Sequence, residues 1–174
     1  TTDTISVTGR ITGAVPSRAI PVTGSAAAWF KIATINNPGG NAGWLNLMLT
    51  SGNYGGSKMG TDIISLNGRG MPANGTAFTA DILANYIDHT QIAKAASSGA
   101  VIGAVANIAS GVYQSFDFYI KAPSWWSGAT VSILGGSGYQ YYGDSLTQLS
   151  AEPAGILYAT PVTVLKSLAS SYDL

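Results

Sequence analysis

The folds open to this chain are limited most by a series of short runs in which apolar and polar residues alternate, each set off from the next by glycine. In the clearest run, Tyr113 to Lys121, the residues Gln114, Phe116, Phe118 and Ile120 fall on one side of an extended chain, and Tyr113, Ser115, Asp117, Tyr119 and Lys121 on the other. Strand side chains alternate with a period of two, so the run predicts a strand with one face in a core. Phe30, Ile32 and Thr34 alternate with Lys31, Ala33 and Ile35 in the same manner, as do Leu45, Leu47 and Leu49 with Asn46 and Met48. Runs at Ile5 to Ile11, Thr61 to Leu66, Thr76 to Leu83, Ala129 to Leu134 and Ile156 to Leu165 extend the pattern. Together they approach the roughly eight strands of a jelly roll.

Between the runs stand Asn37-Pro38-Gly39-Gly40, Asn67-Gly68, Asn74-Gly75 and Gly135-Gly136-Ser137-Gly138. Glycine and asparagine supply the positive φ that tight turns require, so these are expected turns of an all-β, antiparallel sandwich. Tyr86 to Ser110 divides. Ile87, Ile92 and Ala96 suit a short helix, while Val101, Gly103 and Val105 alternate with Ile102, Ala104 and Ala106 as a strand would. Gly99 and Gly103 have the G-x-x-x-G spacing of paired membrane helices, but the apolar run is too short to span a bilayer. A packed strand of small residues, placed at a subunit contact, is the preferred reading.

The length of 174 residues fits one domain. Asp, Glu, Lys and Arg make up only 9% of it, against a usual share of about 25%. Such a surface must be covered by Ser, Thr, Asn, Gln and Gly, and association between copies is expected. Eight basic and eight acidic residues create no field for nucleic acid or an anionic membrane, so neither is an expected partner. Cysteine is absent, which removes disulfides and thiolate zinc sites. Thr1-Thr2-Asp3-Thr4 has neither a basic nor an apolar leader region, and no stretch approaches the ~20 apolar residues of a membrane helix. A soluble fragment or processed chain, without membrane insertion, is expected.

The residues offer little for catalysis. His89 is the only histidine, and Asp88, next to it in sequence, is not placed to orient its ring as a triad would. Gly135-Gly136-Ser137-Gly138-Tyr139 lacks the final glycine of a nucleophile elbow, which leaves His89 as a surface or turn residue. No spacing pairs the carboxylates, although Asp117 and Asp144 lie near aromatics as in a sugar site. No calcium loop, Walker loop or dinucleotide fingerprint occurs, so neither metal nor cofactor is expected and the chain is not expected to be an enzyme. Asn74-Gly75-Thr76 reads as a glycosylation sequon or equally as a hairpin turn.

What remains is aromatic. Trp125 and Trp126 follow Pro123-Ser124 and precede Gly128, and Tyr139, Tyr141, Tyr142 and Asp144 follow a glycine turn. Aromatic faces stack on sugar rings, so Trp125, Trp126, Tyr139, Tyr141, Tyr142 and Asp144 form the candidate ligand-binding set. The competing reading is burial, with these side chains anchoring loops to the core or packing along a symmetry axis.

Four segments carry a resemblance to a known family: Trp29-Phe30-Lys31-Ile32-Ala33-Thr34-Ile35, the Leu45 to Tyr54 strand with its glycine exit, Ile63-Ile64-Ser65-Leu66-Asn67-Gly68-Arg69-Gly70, and Phe116-Asp117-Phe118-Tyr119-Ile120-Lys121-Ala122-Pro123. The chain from Trp29 to Leu134 resembles the C-terminal knob domains of tailed-bacteriophage tail fibres and tail needles. The resemblance is one of pattern, an early W-x-x-I-A strand and a late hydrophobic-x-K-x-P strand, and carries no catalytic signature. It implies a homotrimer of jelly-roll, tumour-necrosis-factor-like subunits at the tip of a virion fibre or spike. Residues 1–28, with Pro16 and Pro21, would then be a strand and connector from the fibre shaft, and residues 29–174 the knob. The implied role is host attachment through a bacterial surface glycan or another envelope receptor. The alternatives are a trimerising cap or envelope-penetrating tip that binds no receptor, and a polysaccharide depolymerase. Charge-poor strands suit packing about a three-fold axis, where symmetry would set like charges against each other.

Overall fold

The computed structural model describes residues 5–7, 17–21, 24–36, 43–50, 60–68, 70–93, 100–123, 129–141 and 146–163. They form β1 (Ile5–Val7), β2 (Ser17–Ala19), β3 (Ala28–Asn36), β4 (Trp44–Thr50), β5 (Thr61–Asn67), α1 (Ala80–Leu83), β6 (Ile87–Ala93), β7 (Val101–Ala109), β8 (Val112–Ala122), β9 (Thr130–Ser137), β10 (Tyr139–Tyr141), β11 (Gln148–Leu149), β12 (Leu157–Tyr158) and β13 (Val162–Thr163). The fold is all-β. One sheet runs β1-β10-β3-β8-β7-β12, with β11 also paired to β3, and the other runs β13-β6-β5-β4-β9-β2. Pairing is antiparallel throughout except where β13 lies parallel to β6, and neither sheet closes on itself. β1 pairs with β10 and β2 with β9, so the described strands of residues 1–28 lie one in each sheet.

A single apolar core draws on both sheets: Phe30, Ile35, Phe116, Phe118 and Ile120 from the first, Leu45, Leu47, Leu49, Ile64 and Val131 from the second. Each fully buried side chain of this size contributes about 1.5–3 kcal/mol over exposure, which is what fixes the register of the long strands. The alternation expected for Leu45, Leu47 and Leu49 is seen without change.

Four β-bulges alter the faces expected elsewhere. The register of β7 against β8 steps from Asn107 opposite Ser115 to Ile108 opposite Tyr113, which leaves Gln114 as an extra residue. Gln114 is therefore exposed and Tyr113 buried, the reverse of strict alternation. Ile32 is the extra residue of β3, so beyond it Ala33 and Ile35 face the core and Thr34 faces outward to Asp117. Leu134 and Ile92 are the corresponding residues of β9 and β6.

Other segments also depart from expectation. Thr76 to Leu83 is not a strand: Thr79 caps the short helix α1, its Oγ1 accepting from the Ile82 amide at 3.3 Å, and Asp81 sits in the first turn. Both are residues that favour a helix N-terminus. The helix expected around Ile87 and Ile92 is instead β6, whose Ile87, His89 and Gln91 turn inward. Of the run Ile156 to Leu165, the described residues that form strands are β12 and β13. Asn74-Gly75 is a turn, closed by the Thr76 amide on the Ala73 carbonyl at 3.1 Å. Gly135 to Ser137 belong to β9, and the chain passes from one sheet to the other at Gly138. Asn37-Pro38-Gly39-Gly40 and Gly99 lie outside the described residues.

Candidate functional site

The β3–β8–β7 registers set a polar and aromatic surface on the outer face of the first sheet. Trp29 lies opposite Lys121, which lies opposite Val101. Lys31 lies opposite Tyr119, then Gly103, then Tyr158 on β12. Thr34 lies opposite Asp117 and beside Gln140 of β10. Directly opposed residues in antiparallel strands point to the same side, so these side chains form one surface. Trp29, Lys31, Asp117, Tyr119, Lys121, Gln140 and Tyr158 are all half-buried there.

A hydrogen-bond chain orders the centre of this face. Trp29 Nε1 donates to the Tyr158 hydroxyl at 2.6 Å, and that hydroxyl donates to Glu152 Oε1 at 2.9 Å. Lys121 Nζ lies 5.0 Å from the Trp29 ring centroid and 5.4 Å from that of Tyr158, within the range of a cation–π contact. Gly103 makes this arrangement possible: a Cβ there would come within 2.9 Å of Tyr158 Cδ1 and 2.7 Å of the Leu157 carbonyl. The absent side chain lets the Tyr158 ring lie down across β7. Burial pushes the Tyr158 phenol above its ordinary value, against the hydrogen bond from Trp29 and with the Glu152 carboxylate adding to the rise. Nearby, Asp117 Oδ1 accepts from Thr34 Oγ1 at 2.6 Å and pairs with Lys31 Nζ at 2.8 Å.

Of the aromatic residues singled out in the sequence, Tyr139 and Tyr141 fall elsewhere. Tyr139 and Tyr141 are only 3% and 1% exposed, fill the core, and present no ring face to a ligand. Their place on β10, with Gln140 between them turned outward, follows from pairing with Ile35, Thr34 and Ala33. Trp125, Trp126, Tyr142 and Asp144 lie outside the described residues. Asp117 is on the candidate face.

His89 is not a surface or turn residue. It sits on the core side of β6 beside Asp62 of β5, with Nε2 3.5 Å from Asp62 Oδ1 and the two side chains 0% and 2% exposed. Asp88 is exposed, as its position one residue along the strand requires. A cavity of about 130 Å³ lies between α1 and β12, lined by Ala80, Leu83, Ala84, Ile87, Tyr158 and Ala159 among others. Among the described residues, His, Asp and Glu side chains do not gather in groups of three or more that could hold a metal ion. No described helix is long and apolar enough to cross a membrane.

Sequence reading missed Trp29, Lys121 and Tyr158 as a group because pairing across four strands brings them together. The visible signal was the outer side of the Tyr113 to Lys121 alternation, which already carried Asp117, Tyr119 and Lys121.

No protein-family model and no curated protein sequence matches the chain. Its structure is similar to that of Pantoea stewartii WceF, described as a glycan biofilm modifying enzyme with a bacteriophage tailspike-like parallel beta-helix fold. The TM-score is 0.51 at 10% sequence identity, and the match covers 83% of this chain but 21% of WceF. The chain thus spans about a fifth of that protein's length, and the likeness is one of fold.

Proposed function

We propose that this chain is the tip domain of a virion tail fibre or spike, a jelly-roll knob that acts as a homotrimer and attaches to bacteria by binding a surface glycan. The observation that carries the proposal is the outer face of the first sheet, where Trp29, Tyr119 and Tyr158 lie beside Lys31, Lys121, Asp117 and Glu152. Half-buried rings supply stacking area for the apolar side of a sugar, and the polar groups among them supply hydrogen bonds to its hydroxyls. The fold likeness to a protein described as tailspike-like and glycan-modifying supports the same direction.

Binding is the proposed role, not depolymerisation. Asp117 is held by Lys31 and Thr34, and Glu152 accepts the Tyr158 hydroxyl, so these two carboxylates, described on the face, have structural partners. A glycosidase needs one such group free to deliver a proton and the other free to attack or activate water. Trp125 and Trp126, which follow β8 in the sequence, are proposed as further contacts.

The test is whole-cell and glycan-array binding by the chain and by Trp29→Ala, alongside assays for new reducing or unsaturated ends. Trp29→Ala is expected to weaken binding by about tenfold or more, as for an aromatic hot spot, with no saccharide released. Unchanged binding by Trp29→Ala removes the proposed face, and released product removes the non-enzymatic reading.

A further inference from the structure

The two lysines of the candidate face are in different states. Lys31 is neutralised by Asp117 at 2.8 Å. Lys121, half-buried, has no carboxylate within ion-pair distance among the described residues and rests over the rings of Trp29 and Tyr158. An ammonium group partly removed from water and stabilised only by ring faces retains most of its attraction for an anion. We infer that the face selects a carboxylate-bearing sugar, a uronic acid or similar acidic residue, whose carboxylate meets Lys121 Nζ while its ring stacks on Trp29. This rests on the glycan-binding reading above and names the substrate class of that surface.

Placement of the neighbouring charges fixes the orientation. Glu152 is held at the hydroxyl end of Tyr158, at 2.9 Å, and repels a second carboxylate there. The acidic group of the sugar is thus directed to the Lys121 end, and neutral hydroxyls fall at the Glu152 end, where a carboxylate can accept their hydrogen bonds. Lys31 cannot substitute, because Asp117 already occupies it and Thr34 fixes Asp117 in turn. A lysine suits this task as a compact point charge that does not demand bidentate geometry.

The experiment compares a panel of acidic bacterial polysaccharides with the same polymers after chemical reduction of their carboxyl groups to primary alcohols. Binding is measured for the unaltered chain, Lys121→Gln, Lys121→Arg and Arg18→Gln, each first checked for native circular dichroism. The unaltered chain is expected to prefer an acidic polymer over its reduced form by about tenfold, the size of one charge-assisted contact. Lys121→Gln should abolish that preference, Lys121→Arg should restore most of it, and Arg18→Gln, on β2 of the other sheet, should leave it within twofold. Rising salt should erode it in the unaltered chain and not in Lys121→Gln. Equal binding of acidic and reduced forms, or a preference that survives Lys121→Gln, overturns the inference while leaving glycan binding intact. No binding to either form overturns both.

Discussion

Tyrosines of this chain divide by what their hydroxyl groups meet. The Tyr86 hydroxyl donates to the Gly70 carbonyl at 2.5 Å and the Tyr113 hydroxyl to the Thr76 carbonyl at 2.8 Å, which tie the loop before α1 to the core. The hydroxyls of Tyr139 and Tyr141 are buried with no hydrogen-bond partner among the described residues. A buried hydroxyl that is satisfied contributes about 1 kcal/mol, whereas an orphaned one carries its desolvation cost. Tyr113→Phe is therefore expected to lower the urea-unfolding free energy by about 1 kcal/mol, and Tyr141→Phe to leave it unchanged or raise it. Burial also pushes the Tyr141 phenol far above the ordinary value of 10.0. The folded state then keeps a proton that the unfolded chain releases, so stability present below pH 10.0 is lost as pH rises above it. Tyr141→Phe should move alkaline unfolding, followed by fluorescence, to higher pH. The spacing of Tyr139 and Tyr141 two residues apart was the sign that they share one face of a strand; the glycines before them pointed instead to an exposed turn. Asp62 beside His89 had no such sign, since only the pairing of β5 with β6 brings them together.

At the scale of elements, strands were legible and their faces only in part. A period of two marks β4, β5 and β8 clearly, but one extra residue reverses every side chain beyond it, and nothing in Ile32 or Gln114 announces a bulge. Such residues are set by the partner strand. The β7–β8 hairpin shows the opposite case, a turn written locally. Ser110 and Gly111 connect paired Ala109 and Val112 with φ of 51° and 76°, the two positive values of a type I′ turn. Serine tolerates that region poorly and asparagine well. Ser110→Asn should stabilise the fold by about 0.5 kcal/mol and Gly111→Ala destabilise it by about 1–2 kcal/mol, both read from denaturant midpoints. Thr79 ahead of Asp81 was a comparable local signal for α1, overridden in the sequence reading by the apolar pattern of Phe78, Ile82 and Leu83.

At the scale of the whole molecule, the described charges gather more on the outer face of the first sheet than on β4, β5 and β9 of the second. Lys31, Asp117, Lys121 and Glu152 cluster on the first sheet. The outer side of β4, β5 and β9 carries Trp44, Met48, Ile63 and Leu134 among hydroxyl residues, such as Thr50 and Thr130 at 2.6 Å, with Trp44 41% and Leu134 46% exposed. Such an apolar, charge-poor face is where the homotrimer proposed above is expected to pack, rather than at the small-residue strand β7 of the first sheet. The unaltered chain is expected to have the mass of a trimer by light scattering, and Ile63→Lys to shift it to monomer with an unchanged circular dichroism spectrum. A monomeric unaltered chain would remove the proposed assembly. The sequence alone indicated two layers and scarce charge, but not which strands adjoin, because partners such as β3 and β8 lie far apart in the chain. The margins of the sheets bear on this as well. β12, the terminal strand of the first sheet beside β7, is two residues long and is flanked on both sides by described residues that are not strand. So short a strand offers few open backbone groups to a neighbouring copy. Strand addition at that margin is thereby disfavoured, which leaves contact through a face as the route by which copies of a chain with little electrostatic repulsion would meet.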